Sequence, residues 1–91
     1  MIFPRRYDAT TSRADFVRLL PAATGEPDYR EIGDSFVGRG WRVQLEAISP
    51  LKIGMVRLER HRIEISFDGI SHEQQDKFMR RFTLHYQRGG G

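Results

Sequence analysis

The stretch WRVQLEA, residues 41–47, alternates apolar and polar side chains without a break. Its apolar side chains all fall on odd-numbered positions, which is the period of a β-strand with one buried face. The run YREIGDSFV, residues 29–37, has a weaker alternation and is separated from the first run by GRG, residues 38–40. Because glycine accepts positive φ, this spacing predicts a β-hairpin.

Two further alternating runs follow toward the C-terminus. IGMVRLE, residues 53–59, places apolar side chains on the even positions Val56 and Leu58, whereas residues 62–68 place them on odd positions. A single straight strand would expose one of these sets to water. The mismatch predicts a turn or bulge at residues 59–62, with a strand on either side of it. We also expect Pro50 to break the sheet.

Two amphipathic helices flank the strands. Ser12 and Ser71 each have an acidic or amide side chain three residues later, a pattern typical of helix N-termini. They predict helices over about 12–23 and 72–87, and Pro21 is expected to end or kink the first. We expect both helices to pack on one face of a four-stranded antiparallel meander, which gives a two-layer α+β sandwich.

Composition favours one ordered domain over residues 1–91. The chain is 38% hydrophobic and 30% charged, and it contains no cysteine for a disulfide or a thiolate metal site. Residues 1–10 are expected to form a short strand or an arm, and residues 88–91 a flexible tail. No stretch approaches the roughly 18 apolar residues of a membrane span, so we expect a soluble, cytoplasmic protein that does not contact membranes.

The net charge of +3 raises the question of an acidic ligand. Guanidinium groups can clamp phosphate, and two places concentrate them: the segment around ERHR, residues 59–62, and the second helix. The candidate anion or nucleic-acid contacts are Arg57, Arg60, His61, Arg62, Arg80 and Arg81. Arginines and glutamates cancel one another on the predicted outer sheet face, however, so nucleic-acid binding is the alternative function rather than the favoured one.

Two resemblances to known families are limited in extent. The order helix, strands, helix resembles the double-stranded-RNA-binding module, which implies duplex RNA as a ligand. That module uses a lysine cluster at the start of its last helix, where this chain has SHEQQD, residues 71–76. The terminal QRGGG, residues 87–91, is similar to the tail of ubiquitin-like modifiers, which implies a carrier role. In that family the tail follows a strand, whereas here a predicted helix precedes it.

Catalytic and metal-binding patterns do not emerge from the sequence. His61, His72 and His85 fall on three separate elements, and no serine lies in a nucleophile elbow. We therefore predict no catalytic residue, no metal and no cofactor. An enzyme of this size would usually build its site between subunits, and this remains a less favoured alternative.

The favoured function is a small non-catalytic binding or adaptor domain that acts on another protein or on a second copy of itself. The first predicted strand, which contains Gly33, is typical of an exposed sheet edge open to strand addition. The chain also carries more apolar residues than one sheet face can cover. The candidate interface residues are Ile48, Met55, Leu84 and Tyr86.

Overall fold

The computed structural model describes the backbone of residues 3–89 and the side chains of residues 3–86. Two helices and five strands follow one another along this part of the chain. They are β1 (Arg6–Ala9), α1 (Arg13–Thr24), β2 (Arg30–Ile32), β3 (Ser35–Val37), β4 (Trp41–Ile53), β5 (Val56–Phe67) and α2 (His72–Gly89).

The strands form one sheet in the order β1-β5-β4-β3-β2, with every neighbouring pair antiparallel. The predicted α+β class and the meander are confirmed. Residues 1–10 add a fifth strand, because β1 pairs with β5 from Arg6 opposite Glu64 to Ala9 opposite His61. β2 lies at the far edge of the sheet, as expected for a strand with a poor pattern.

Both helices cover one face of the sheet, and the core lies between the two layers. The odd-numbered residues between Trp41 and Leu45 of β4 and between His61 and Ile65 of β5 point into this core, as the alternation predicts. The buried apolar residues are Phe16, Leu20, Ala23, Phe36, Trp41, Val43, Leu45, Ile63, Ile65, Met79 and Phe82. The Phe16 ring stacks on that of Tyr86 at a centroid distance of 4.6 Å, and the Tyr86 hydroxyl donates to the Phe16 carbonyl oxygen at 2.8 Å.

Helix α1 begins where the sequence predicts and ends later. The Ser12 hydroxyl accepts a hydrogen bond from the Asp15 backbone N–H at 3.1 Å, which caps the first turn. Pro21, expected to end or kink the helix, does not end it, because this residue lies inside α1. The helix ends at Gly25, whose φ of 76° supplies the left-handed C-terminal conformation and whose N–H donates to the Pro21 carbonyl.

Helix α2 confirms the predicted capping box. The Gln74 N–H donates to the Ser71 hydroxyl at 3.2 Å, and the Ser71 N–H donates to the Gln74 side-chain oxygen at 3.0 Å. The helix continues to Gly89. The predicted tail therefore falls partly on Gly90 and Gly91, which lie outside the described residues, and so does the resemblance to ubiquitin-like tails. Neither helix within residues 3–89 contains a stretch long and apolar enough to cross a bilayer.

The predicted strand over 29–37 is divided in two. Ile32 pairs with Ser35, so the chain reverses at Gly33–Asp34 and makes the short hairpin β2–β3. Gly33 has a φ of 59° at the first position of this turn, a conformation that glycine adopts without strain. The next hairpin, predicted at GRG, is confirmed by the register of β3 against β4.

The predicted turn at residues 59–62 is wrong. β5 runs from Val56 to Phe67 without interruption, and the chain instead reverses at Gly54–Met55, between the paired residues Ile53 and Val56. Gly54 has a φ of 59°, which suits the first position of a tight two-residue turn. The predicted strands 53–59 and 62–68 are therefore the two halves of one strand.

Pro50 does not break the sheet, because β4 continues through it to Ile53. The register shifts instead, from Ile48 opposite Arg60 to Leu51 opposite Leu58. Three steps along β4 match two along β5, which defines a β-bulge that holds one extra residue. The bulge accommodates proline, since bulged residues can leave the hydrogen-bonded ladder. It also turns Leu51 and Ile53 to the face opposite to that of Val43 and Leu45.

Candidate interaction surface

The distal halves of β4 and β5 extend beyond the rest of the sheet. β3 pairs with β4 only as far as Gln44, and β1 pairs with β5 only as far as His61. Residues 48–60 therefore form a two-stranded hairpin without a third strand on either side, which we call the arm. From its base to its turn the arm spans roughly 17 Å at the usual rise per strand residue. An isolated two-stranded ribbon is only marginally stable in water.

One face of the arm is apolar. Leu51 lies opposite Leu58, and Ile53 lies opposite Val56, so the register places all four side chains on the same face. Met55 occupies the turn. The exposed fractions are 39% for Leu51, 59% for Ile53, 104% for Met55, 56% for Val56 and 36% for Leu58. These residues amount to on the order of 500 Å² of surface, as much as the largest apolar patch on a typical monomer.

This apolar face continues the side of the sheet that the helices leave open. Counting back along β5, Leu58 has the parity of Arg60 and Arg62, whereas the buried Ile63 and Ile65 have the opposite parity. Burying a large aliphatic side chain contributes about 1.5–3 kcal/mol. Five apolar residues, each left between about a third and fully in water, therefore hold several kcal/mol that a partner could recover.

The opposite face of the arm is basic. Lys52 lies directly across from Arg57, and like charges at paired positions destabilise a hairpin. Within residues 3–86, no acidic group lies within salt-bridge distance of either side chain. The arm thus separates its two chemistries, with aliphatic residues on one face and the charged residues Lys52, Arg57 and Glu59 on the other.

A cavity of about 330 Å³ lies at the base of the arm, where the bulge is. It brings together three of the predicted anion contacts, Arg57, Arg60 and His61, with Glu59 in the same lining. His61 is buried, and its Nδ1 lies 2.8 Å from the Thr11 carbonyl oxygen. Because a carbonyl only accepts, Nδ1 carries the proton of this hydrogen bond. His61 therefore ties the arm's base to the segment before α1.

Arg62, the fourth predicted anion contact, is not in the lining of this cavity and shares a carboxylate partner with Arg60. Arg62 donates to the Asp8 carboxylate at 3.0 Å, and Arg60 lies 3.7 Å from the second oxygen of the same group. The hydrogen bond and the negative charge of Asp8 raise the pKa of Arg62. One carboxylate therefore offsets much of the charge that two guanidinium groups would present to phosphate.

Arg80 and Arg81 are on α2 and do not join the group at the arm. Arg80 is exposed, while the Arg81 Nε donates to the Ala22 carbonyl oxygen at 2.7 Å and so links the two helices. Arg81 lines a different cavity, of about 300 Å³, beside Trp41. The six predicted anion contacts therefore do not form one site, since some lie at the base of the arm and others on α2.

The four predicted interface residues divide in the same way. Met55 is at the arm's turn and Ile48 at its base, whereas Leu84 is exposed on α2. Tyr86 is half-buried and packs against Phe16. Burial, with nearby tyrosines adding to it, raises the pKa of the Tyr86 phenol well above its ordinary value.

The sequence prediction missed four members of the apolar face: Leu51, Ile53, Val56 and Leu58. Their alternation places Val56 and Leu58 in the predicted core, but alternation alone does not show which face of the sheet is covered. One signal was present in KIGMV, residues 52–56, where a glycine lies between two β-branched residues. That pattern fits a tight turn flanked by strand formers.

Comparison with known proteins identifies no relative, since no family model, curated protein or solved structure matches the chain. Among the described residues, no three His, Asp or Glu side chains are grouped closely enough to hold a metal ion. The arm is therefore the feature from which a function is inferred.

Proposed function

We propose that this chain is a small non-catalytic protein-binding domain, and that the apolar face of the arm is its binding surface. The single observation that carries the proposal is the uncovered face made by Leu51, Ile53, Val56 and Leu58. Monomeric proteins rarely leave such a patch in water unless it serves an interaction.

The physical reason is that the arm leaves backbone edges and apolar surface exposed to water. It projects beyond both neighbouring strands, so its backbone edges and its apolar face lack the cover that stabilises the rest of the sheet. A partner that covers the face would remove apolar surface from water and order the hairpin at the same time. The bulge at Pro50 interrupts the β4 edge, which favours contact through the face over strand addition there.

Site-specific photo-cross-linking in the cells that produce the chain tests this proposal. A benzophenone amino acid in place of Met55 projects from a fully exposed position, so it should not disturb the fold. We expect it to form a discrete adduct with a protein, and we expect the adduct to disappear when Ile53→Asp is added. The same probe at Leu84 tests the rival surface on α2. Adducts from position 84 alone, or none from position 55, would refute the proposal.

Nucleic-acid binding is a second candidate because of one specific observation, the unpaired cationic residues Lys52 and Arg57 across from each other. Each phosphate that they neutralise would add about 0.9 to the slope of log affinity against log salt on duplex DNA. Titration of duplex and single-stranded probes at low salt, with Lys52→Ala and Arg57→Ala as variants, tests it. Unchanged probe mobility at low salt would dispose of this candidate.

A further inference from the structure

We infer that the partner of the arm is a second copy of this chain, and that two arms pack apolar face against apolar face about a two-fold axis. This inference rests on the proposed function, because it names the occupant of the same surface. Three properties of the arm support it: the area of its face, the placement of its charges and the shape of a two-stranded ribbon.

The area of the face matches what a small dimer needs. The five exposed apolar residues of one arm amount to on the order of 500 Å², so two arms would together bury roughly 1,000 Å² before any rim residue is counted. That total lies at the lower limit for a specific interface. A second arm also has the same length and width as the first, so no part of either face is left uncovered.

The charges are placed so that face-to-face packing brings no like charges together. Lys52 and Arg57 are on the side of the ribbon away from the apolar face, and in the pair they would be on the two outer surfaces. Stacked sheets lie about 10 Å apart, and the cationic side chains point away from each other. A partner that enclosed both faces would instead have to supply acidic groups for this pair.

The two-fold arrangement also suits the ends of the arm. In an antiparallel stack, the uncharged turn Gly54–Met55 of one copy lies over the base of the other, where Ile48 and Arg60 are. Arg60 is already close to Asp8 at 3.7 Å, so an apolar side chain can approach it without leaving an isolated charge. The result is a two-layer, four-stranded unit in which each ribbon supplies the missing cover of the other.

Sedimentation equilibrium of the full chain over a wide concentration range tests the inference. We expect a monomer–dimer equilibrium, and we expect Ile53→Asp to weaken it by roughly 100-fold or more, because the symmetric interface would then bury two unpaired carboxylates. Ile32→Asp is the matched control. Ile32 is 48% exposed against 59% for Ile53, but it lies on β2, so its replacement should leave the equilibrium unchanged.

A disulfide measurement keeps the test independent of the stability of the aspartate variant. The chain contains no cysteine, so Leu58→Cys introduces a single thiol near the middle of the arm, close to the expected two-fold axis. We expect it to form a disulfide-linked dimer on mild oxidation much faster than Ile32→Cys. Equal oxidation rates for the two variants would overturn the face-to-face arrangement.

The outcomes separate the inference from the proposed function. A chain that stays monomeric at every concentration, while position 55 still gives an adduct with a different protein in cells, overturns the second copy and leaves the protein-binding function standing. A monomer without any adduct overturns both. A dimer that Ile53→Asp leaves unchanged shows that copies meet through another surface, which also overturns the inference.

Discussion

The hydrogen bonds of Glu26 allow a quantitative test of how α1 is held to the sheet. Glu26 follows the end of α1, and its carboxylate accepts from the Trp41 indole N–H at 2.5 Å and from the Arg39 backbone N–H at 3.0 Å. Trp41 is the first residue of β4 and is buried. The carboxylate therefore joins the C-terminal end of the helix to the start of the longest strand.

Replacing Glu26 with alanine should cost about 1–3 kcal/mol of unfolding free energy. The Arg39 N–H is exposed and can turn to water, but the Trp41 indole N–H would be left buried without a partner, at about 1–3 kcal/mol. In a domain of this size, each kcal/mol lowers Tm by roughly 4–8 °C. Urea unfolding followed by circular dichroism measures the loss, and it stays usable when the single tryptophan is replaced.

A double-mutant cycle with Trp41→Phe isolates the bond itself. Phenylalanine keeps most of the ring but has no N–H donor, so in that background Glu26→Ala should cost about 1–2 kcal/mol less than in the wild type. Glu26→Gln is the conservative control, since it retains one acceptor and should lie between the two. A cost below about 0.5 kcal/mol for Glu26→Ala, the usual range for surface changes, or a coupling near zero, would refute the reasoning.

Three further predictions concern stability. Burial raises the pKa of Tyr7 to about 12, so the native state holds the phenolic proton more tightly than the unfolded chain does. The stabilisation is complete below about pH 10 and is lost between about pH 10 and 12. Across this window, urea unfolding should show a smaller loss of unfolding free energy for Tyr7→Phe than for the wild type. Gly38→Ala should cost about 1–3 kcal/mol by thermal unfolding, because its Cβ would lie 2.1 Å from the Trp41 ring. Asp8→Asn removes the negative charge shared by Arg60 and Arg62, and we expect the resulting small difference in stability from wild type to shrink as salt is added.

Much of the fold could be predicted because local patterns and tertiary packing agree over most of the chain. The alternation of residues 41–47 identifies both the strand and its buried face, since Trp41, Val43 and Leu45 are all buried. The capping box at Ser71 depends only on groups within four residues of one another, so it is visible in the sequence. Such elements can be predicted because interactions between residues close in sequence are sufficient to determine them.

The errors occur where long-range pairing overrides a local rule. Pro50 is unfavourable in a strand, yet the pairing of β4 with β5 on either side of it is extensive enough to carry the chain through a bulge. Pro21 likewise lies inside α1, because the buried residues Phe16, Leu20 and Ala23 hold both sides of it against the sheet. Sequence spacing gives no measure of how much packing is available to offset such a cost.

The parity conflict in β5 carries more information than the prediction drawn from it. The even-numbered Val56 and Leu58 and the odd-numbered Ile63 and Ile65 predict a turn only if every apolar set must reach the same core. The structure keeps the strand continuous, so the two sets lie on opposite faces, one under the helices and one in water.

A continuous strand that changes its apolar face midway is costly for an isolated monomer, because it gains nothing from the second set. In natural sequences the local preferences of the residues usually agree with the tertiary fold, and the exceptions tend to lie at functional positions. The change occurs near the point where β1 stops pairing with β5, beyond which Arg57 and Glu59 on the other face are exposed as well. On the proposed function, Val56 and Leu58 are part of a core that a partner completes rather than misplaced members of the core that the chain forms alone.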